Sequence, residues 1–221
     1  MGTKRVVCAT RGDWLSGRIL GIGASDAAAV LGISPWKSNV ELWEEKTGLR
    51  TISDISQSDV VKYGKESEEY IRALFSLDFP KYCVEYHEFD MLFQSERPWL
   101  FATLDGELTE KDTGKLGVLE IKTTEIMRHG DWSKWRDGIP CYYYAQVVHQ
   151  FAATGCDFLM LRVHIKERSS SRPDGLKVYV RHYYWERAEV LADIEILVTK
   201  ETEFHKSIVE KRRPNQILPE I

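Results

Sequence analysis

The feature that most restricts the fold of this chain is a block of strand-like segments enclosed between helical ones. The segments rich in β-branched and aromatic residues are 82–93, 99–104 and 117–122. Apolar residues at helical spacing precede this block over residues 60–76 and follow it over residues 142–155. Strands that lie between helices along the chain predict an α/β domain, because each sheet face needs a further layer to bury it.

The rest of the chain extends the same pattern. Residues 158–165 and 176–185 are again β-rich, and they predict a hairpin across a polar loop. The spacing of apolar residues from about Arg187 to Lys211 predicts a long amphipathic helix. We therefore predict a single domain over residues 1–221, a sandwich of helices around a mixed central β-sheet.

Two short helices are predicted before residue 50. The run of small residues from Gly21 to Asp26 indicates a turn, and Ser25 is expected to cap a short helix that ends near Gly32. Residues 39–47 predict a further amphipathic helix, which Gly48 is expected to close.

Composition narrows the class of protein. Hydrophobic residues make up 43% of the chain and charged residues 29%, the balance of an ordinary globular domain. We expect no membrane-spanning segment and no signal peptide, and therefore a cytoplasmic location. The four cysteines are scattered without a CxxC pair, which argues against a zinc or iron–sulfur site. A net charge of −4 argues against a protein that coats nucleic acid without specificity.

The segment from Val118 to Lys122 combines a buried strand with two charged side chains. Alternation along a strand places Glu120 and Lys122 on one face, about 7 Å apart. Asp105 is expected at the end of the preceding strand, across a hairpin whose turn is Asp112-Thr113-Gly114. Two carboxylates and the backbone carbonyl of Ile121 would then form an oxygen-only site that suits Mg²⁺, with Mn²⁺ as a substitute.

Such a site fits phosphodiester hydrolysis. A metal ion there would polarise the phosphate and lower the pKa of the attacking water, and Lys122 would orient that water. The same residues have a second interpretation, in which a surface Glu–Lys pair lies beside an ordinary Asp-Gly turn.

Four motifs, in order along the chain, resemble those of the lambda exonuclease and YqaJ-like viral recombinase group of PD-(D/E)XK nucleases. Asp105 with Glu120-Ile121-Lys122 resembles the superfamily signature, with Leu104 where its name has proline. The other matching segments are Gly21–Asp26 continued by Leu31-Gly32-Ile33-Ser34-Pro35-Trp36, then Tyr63–Glu69, and then Tyr144-Ala145-Gln146-Val147. The resemblance covers the chain to about residue 155, and it implies a restriction-endonuclease-like core with a mixed central β-sheet flanked by helices.

Carried over residue by residue, the resemblance implies that Asp105 and Glu120 are metal ligands and that Lys122 is the catalytic lysine. It also implies that Glu68 completes the metal site and that Gln146 lies beside it.

Two of these assignments have alternatives. The neighbours Glu66 and Glu69 leave the register of the helix glutamate open, and Glu68 could be one of a run of solvated glutamates on an exposed helix. Gln146 could be a core-facing amide that caps a backbone group.

The resemblance further implies a pocket for the 5′-terminal phosphate of DNA, formed by Arg18, Ser25 and Thr103. A hydroxyl beside free helix amides and a bidentate guanidinium would bind a phosphate dianion. The alternative is that Ser25 is only a helix cap and Arg18 only a surface charge.

Tryptophan rings are candidate sites for stacking of DNA bases. Trp36 and Trp43 are predicted to be packing residues rather than stacking platforms. The segment 128–138 is either a plain connecting loop or a DNA-facing segment, whose candidate residues are Arg128, His129, Trp132, Lys134, Trp135 and Arg136.

The resemblance implies a Mg²⁺-dependent exonuclease that digests double-stranded DNA 5′→3′ from duplex ends. It would leave 3′ single strands for recombination by strand annealing, as a ring-shaped homotrimer that works with a single-strand annealing protein. An endonuclease on the same core, or a non-catalytic DNA-binding module, are the alternatives. The joint presence of Asp105, Glu120 and Lys122 favours an enzyme.

Overall fold

The computed structural model of the chain describes residues 2–52, 57–126, 129–136, 138–168 and 175–218. Within these ranges the α-helices are α1 (Arg11–Ile19), α2 (Ala27–Val30), α3 (Asn39–Lys46), α4 (Asp59–Asp78), α5 (Cys141–Thr154) and α6 (Leu191–Val209). The strands are β1 (Thr3–Val7), β2 (Ile22–Gly23), β3 (Tyr82–Glu85), β4 (Asp90–Gln94), β5 (Arg97–Ala102), β6 (Gly106–Glu110), β7 (Leu116–Ile126), β8 (Phe158–Arg168) and β9 (Leu176–Glu186). In the described ranges we find no helix with the length and apolar character that a membrane crossing requires.

These strands form two sheets. A four-stranded sheet has the order β1-β4-β5-β2, and a five-stranded sheet has the order β3-β6-β7-β8-β9. In the second sheet β7 and β8 run parallel, whereas the other neighbours are antiparallel. The predicted α/β class with a mixed sheet flanked by helices is confirmed, and the four-stranded sheet is an addition that we did not predict.

The predicted strand 82–93 is in fact two strands in different sheets. The strand β3 ends at Glu85 and pairs with β6, whereas β4 begins at Asp90 and pairs with β1 and β5. Between them the backbone of Phe89 takes a positive φ of 60°, in the left-handed region that few residues other than glycine adopt.

The strand β6 was not predicted, and it changes the place of Asp105. The turn Asp112-Thr113-Gly114 connects β6 to β7 and not β5 to β7. Asp105 therefore precedes the strand that pairs with β7, instead of ending the strand before the hairpin.

The central element of the fold is α5, which contacts both sheets and α6. Its apolar residues Val147 and Phe151 are fully buried, in one cluster with Leu100 of β5 and Leu161 of β8. The other face of the five-stranded sheet is covered by α4, in a separate apolar cluster. The end of β7 is thereby enclosed between α4 and α5.

Hydroxyl side chains cap the helices α3 and α4. Ser38 accepts a hydrogen bond from the Glu41 amide, and Ser58 accepts one from the Val61 amide. The prediction that Ser25 caps α2 is wrong. Ser25 lies inside a 3₁₀ turn, and the side chain of Asp26 accepts the hydrogen bond from the Gly23 amide instead.

The two early tryptophans differ in burial. Trp43 is 3% exposed, as expected for a packing residue. Trp36 is 67% exposed and is therefore not a core residue, although it does pack against a helix. Its ring rests edge-on against Tyr142 at the surface, with 5.0 Å between the ring centroids.

A fully buried pair of ionisable residues joins α5 to α6. His149 Nδ1 lies 2.6 Å from Glu201 Oε1, and its Nε2 lies 2.8 Å from the carbonyl oxygen of Phe101. A carbonyl can only accept, so Nε2 carries a proton. Burial opposes ionisation of the imidazole, but the carboxylate of Glu201 outweighs burial and raises the pKa of His149.

We predict that the stabilising effect of His149 fades in alkaline solution. Its folded-state pKa is raised, so its contribution is complete below the ordinary value of 6.5 and is lost as pH rises through the folded-state value. Melting temperatures of the wild type and His149→Gln should therefore converge as the pH is raised above the ordinary value of 6.5. His205→Gln is the control, because burial lowers the pKa of His205. A pH-independent difference for His149→Gln would contradict the prediction.

Candidate active site

The charged residues singled out in the sequence come together at one end of the five-stranded sheet. Gly106 of β6 pairs with Leu119 of β7, which places Asp105 beside Glu120. Asp105 Oδ2 accepts a 2.8 Å hydrogen bond from the amide of Ile121. Lys122 Nζ contacts Glu120 Oε1, so the two side chains lie on one face of β7, as predicted.

Glu120 is a buried carboxylate, only 2% exposed, with donors on both oxygens. Gln146 Nε2 donates to Oε1 at 2.6 Å, and Gln150 Nε2 donates to Oε2 at 2.5 Å. Both glutamines belong to α5, one turn apart on the same helix face. These bonds compensate the cost of removing a charged group from water.

Glu68 of α4 is the helix glutamate that faces this cluster. It is half-buried, and burial and the charge of Glu120 together raise the pKa of its carboxyl. Glu66 is instead exposed, and its Oε1 lies 3.9 Å from Lys62 Nζ. Glu69 is also exposed. Of the three glutamates considered, the geometry therefore favours Glu68.

The carboxylates of the cluster repel one another. Burial raises the pKa of Asp105 well above its usual value, and the charges of Glu120 and Glu68 raise it further. Burial also opposes ionisation of Lys122, yet Glu120 and Asp105 outweigh it and raise the pKa of the ammonium group. The positive charge of Lys122 acts in the opposite direction on the pKa of Asp105 and of Glu68.

The donor set fits a hard metal ion. As the side chains stand, no group of three or more His, Cys, Asp or Glu residues within the described ranges is close enough to hold one. Nevertheless Asp105, Glu120 and Glu68 supply only oxygen ligands, which Mg²⁺ prefers. A divalent cation would also relieve the repulsion that raises the pKa of Asp105 and Glu68.

The three residues of the expected phosphate pocket also lie together. Arg18 Nη2 donates to Ser25 Oγ at 2.9 Å, and Arg18 Nη1 donates to Thr103 Oγ1 at 3.4 Å. The guanidinium lies over the ring of Trp14, 4.6 Å from its centroid. Burial lowers the pKa of Arg18, which remains charged at any physiological pH.

Lys46 supports this pocket from beneath. Its Nζ donates to the carbonyl oxygen of Arg18 at 2.7 Å and pairs with Asp26 at 2.8 Å. Both side chains of the pair are largely buried. The sequence analysis did not identify this pair, because its partners lie on separate elements.

One cleft of about 740 Å³ connects the two groups of residues. Its lining includes Arg18 and Thr103 of the expected phosphate pocket, and Glu68, Asp105 and Lys122 of the acidic cluster. Further cationic side chains in the lining are Arg11, Lys62 and Lys65. The cleft is therefore lined by residues of the acidic cluster and by a set of cationic and hydroxyl side chains.

Arg72 is a further contributor that the sequence analysis missed. Its Nε donates to the carbonyl oxygen of Asp105 at 2.6 Å, and its guanidinium lies over the ring of Tyr86, 3.7 Å from the centroid. Its position on α4 could have indicated this contact, because Arg72 lies one helical turn beyond Glu68 and therefore on the same face. The same helical spacing relates Gln150 to Gln146.

The segment 128–138 is described only in part. Arg128 lies outside the described residues, as does the side chain of His129. Trp135 is buried in the core, and Trp132 donates a hydrogen bond to Glu167. Lys134 Nζ lies 3.2 Å from Asp131 Oδ1, and the side chain of Arg136 is exposed. Contact of this segment with DNA stays a prediction.

Solved exonuclease structures share this fold. An alkaline exonuclease (LHK-Exo) from Laribacter hongkongensis aligns with a TM-score of 0.61 and 20% identity, over 91% of this chain and 96% of that one. The same enzyme in complex with dAMP gives a TM-score of 0.59 at the same identity and coverage. A phage-related exonuclease from Haemophilus somnus 129PT gives a TM-score of 0.51 and 12% identity, over 87% of this chain and 96% of that one.

Sequence comparison then gives the family. Residues 13–157 match the YqaJ-like viral recombinase domain, and the chain belongs to that family. The uncharacterized protein YqaJ of Bacillus subtilis (strain 168) is 31% identical over 149 residues, which are 67% of this chain. The match spans 44% of that relative's length.

We predict that Asp105→Asn stabilises the protein when divalent cations are absent. Folding raises the pKa of Asp105, so its ionisation costs stability above the ordinary value of 3.8, and this cost is absent in acid. The variant should melt about 2–4 °C higher at neutral pH, the shift that roughly 1 kcal/mol gives a chain of this size. The gain should shrink as pH is lowered towards 4 (about the ordinary Asp pKa).

Thermal melts in EDTA over this pH range provide the measurement. Asp112→Asn, on the exposed β6–β7 turn, is the matched control and should give no gain. An unchanged or lower melting temperature for Asp105→Asn at neutral pH would mean that the carboxylates do not repel one another as described.

Proposed function

We propose that this chain is a Mg²⁺-dependent deoxyribonuclease that digests double-stranded DNA 5′→3′ from duplex ends, leaving 3′ single strands for recombination by strand annealing. The observation that carries the proposal is the single cleft lined by Asp105 and Lys122 together with Arg18 and Thr103. Membership of the YqaJ-like viral recombinase family supports it. Further support comes from the exonucleases that share the fold, one of them in complex with dAMP.

The acidic cluster would perform the hydrolysis. Asp105, Glu120, Glu68 and the backbone carbonyl of Ile121 would hold Mg²⁺. When bound, the metal would polarise the scissile phosphate and favour ionisation of water. The ammonium group of Lys122 would donate hydrogen bonds to the attacking water and the phosphate. Gln146 keeps Glu120 in place through its bond to Oε1.

The part of the cleft around Arg18 and Thr103 would hold the end of the substrate. A terminal phosphate carries about two negative charges, and the guanidinium of Arg18 with the hydroxyls of Ser25 and Thr103 would bind it through charge-assisted hydrogen bonds. The cationic side chains of Arg11, Lys62 and Lys65 also line the cleft, and they would contact the phosphates of the adjacent backbone. This local positive charge is compatible with a negative total.

Assembly and partners rest on the resemblance alone. We propose a ring-shaped homotrimer that threads DNA, a single-strand annealing protein as partner, and a place of action in the cytoplasm of a bacterial host. A basic channel inside a ring would be consistent with the net charge of −4.

A time course on linear duplex DNA labelled at the 5′ or the 3′ end tests the activity. With Mg²⁺ we expect the 5′ label to be released as mononucleotide at once, and the 3′ label to stay in long fragments. Lys122→Ala and Asp105→Ala should lower the rate at least 100-fold, since each removes a group of the hydrolytic centre, while melting cooperatively.

Two controls, chelation of the metal ion and a substrate without ends, accompany this measurement. EDTA should stop the reaction, and covalently closed plasmid should resist digestion. Cleavage of the closed plasmid would indicate an endonuclease instead. Normal digestion by both variants would show that the centre lies elsewhere, and an inert wild type with Mg²⁺ and Mn²⁺ would support the binding-module alternative.

We predict that Arg18→Ala slows the digestion of 5′-phosphorylated ends by about 10- to 100-fold, the effect of losing one to two charge-assisted hydrogen bonds. Ends with a 5′-hydroxyl should be affected much less, because they lack the dianion that Arg18 would bind. Initial rates on the two substrates give the comparison. Arg11→Ala, an exposed arginine of the same cleft, is the control and should slow both substrates alike. Equal losses for Arg18→Ala on both ends would contradict the pocket.

A further inference from the structure

Gln150 is a buried polar residue with no role in the function described so far. It is fully buried on α5, and its Nε2 donates to Glu120 Oε2. Its amide oxygen Oε1 is also buried, and it has no hydrogen-bond partner among the described residues. The neighbouring positions Val147 and Phe151 hold apolar side chains of the core.

The unpaired oxygen of Gln150 lowers the free energy of unfolding. A buried polar atom without a partner costs about 1–3 kcal/mol, whereas an apolar side chain of similar size carries no such cost. Packing alone would therefore favour leucine or methionine at this position. What glutamine adds is its N–H group, and that group is directed at Glu120.

The two oxygens of Glu120 face different surroundings. Oε1 lies at Lys122 and Gln146, and Lys122 lines the cleft. Oε2 meets Gln150, which is wholly buried and does not line the cleft. The terminal torsion of a glutamate side chain is otherwise broad, so a fixed donor at Oε2 determines which oxygen lies beside Lys122.

We propose that Gln150 is a positioning residue, which holds the carboxylate of Glu120 by Oε2 and so presents Oε1 to a divalent cation in the cleft. This inference rests on the metal site in the proposed function. It assigns to α5 a pair of glutamines with separate tasks, because Gln146 bonds the oxygen that Lys122 also contacts and Gln150 bonds the opposite one.

Gln150→Leu separates positioning from packing. The variant loses the N–H donor and also the unpaired oxygen, so its melting temperature should stay within a few degrees of the wild type. Its affinity for Mn²⁺, measured by titration calorimetry without DNA, should fall about 10-fold, the lower end of the effect of removing a partner of a metal ligand. The Mg²⁺ concentration for half-maximal digestion should rise by a similar factor, with the rate at saturating Mg²⁺ largely retained.

Two further variants complete the test. Gln150→Met is unbranched like glutamine and takes the place of the leucine variant if that one does not fold. Gln94→Leu is the matched control, because Gln94 is also buried but donates to Ala152 rather than to the acidic cluster. It should leave the affinity for Mn²⁺ unchanged.

The possible outcomes separate the two proposals. If the wild type binds Mn²⁺ and digests DNA while folded Gln150→Leu or Gln150→Met binds Mn²⁺ equally well, the role of Gln150 is refuted and the proposed function stands. If the wild type binds no Mn²⁺, the metal site is refuted, and the role of Gln150 with it. An equal loss of affinity in Gln94→Leu would show a general effect of core substitution and would also refute the positioning role.

Discussion

A carboxylate buried within an apolar strand needs hydrogen-bond donors or cations around it to offset the free energy lost with its hydration. Glu120 is such a carboxylate, and its partners come from several elements of the structure. Lys122 supplies part of the compensation from the same strand. The amides of Gln146 and Gln150 supply the rest from α5. For both amides to reach Glu120, α5 has to lie at one position along its axis relative to β7. Since α5 also contacts the four-stranded sheet, that position fixes how the two sheets lie around the site.

Local patterns in the sequence predicted much of this arrangement. Alternation along residues 117–122 placed Glu120 and Lys122 on one face, because the period of a strand is a property of the backbone. Helical spacing likewise predicted α5 and the long α6. The convergence of Asp105 on Glu120 was also anticipated, although through the wrong strand. What these features share is that they depend on residues close together in the chain.

The missed features depend on partners that are distant in the chain. Residues 82–93 are continuous in composition, and only the pairing of β3 with β6 and of β4 with β1 and β5 divides them between two sheets. The strand β6 alternates without a strong apolar signal, so it was not visible before its neighbours were known. The exposure of Trp36 likewise depends on how separate elements pack against each other, and so do the contacts of Arg72 and Gln150. The periodicity of residues within one element carries no information about such packing.

The expected phosphate pocket and the acidic cluster are joined by a very short stretch of chain, and this affects the size of the product. Only Leu104 separates Thr103, beside Arg18, from Asp105, beside Glu120. Three residues of extended chain span no more than about 10 Å, and a peptide backbone does not stretch. For a substrate held as proposed, the anchored end and the bond to be broken would stay a constant interval apart. The backbone itself, and not the composition of the DNA, would then determine how many nucleotides leave in each cycle.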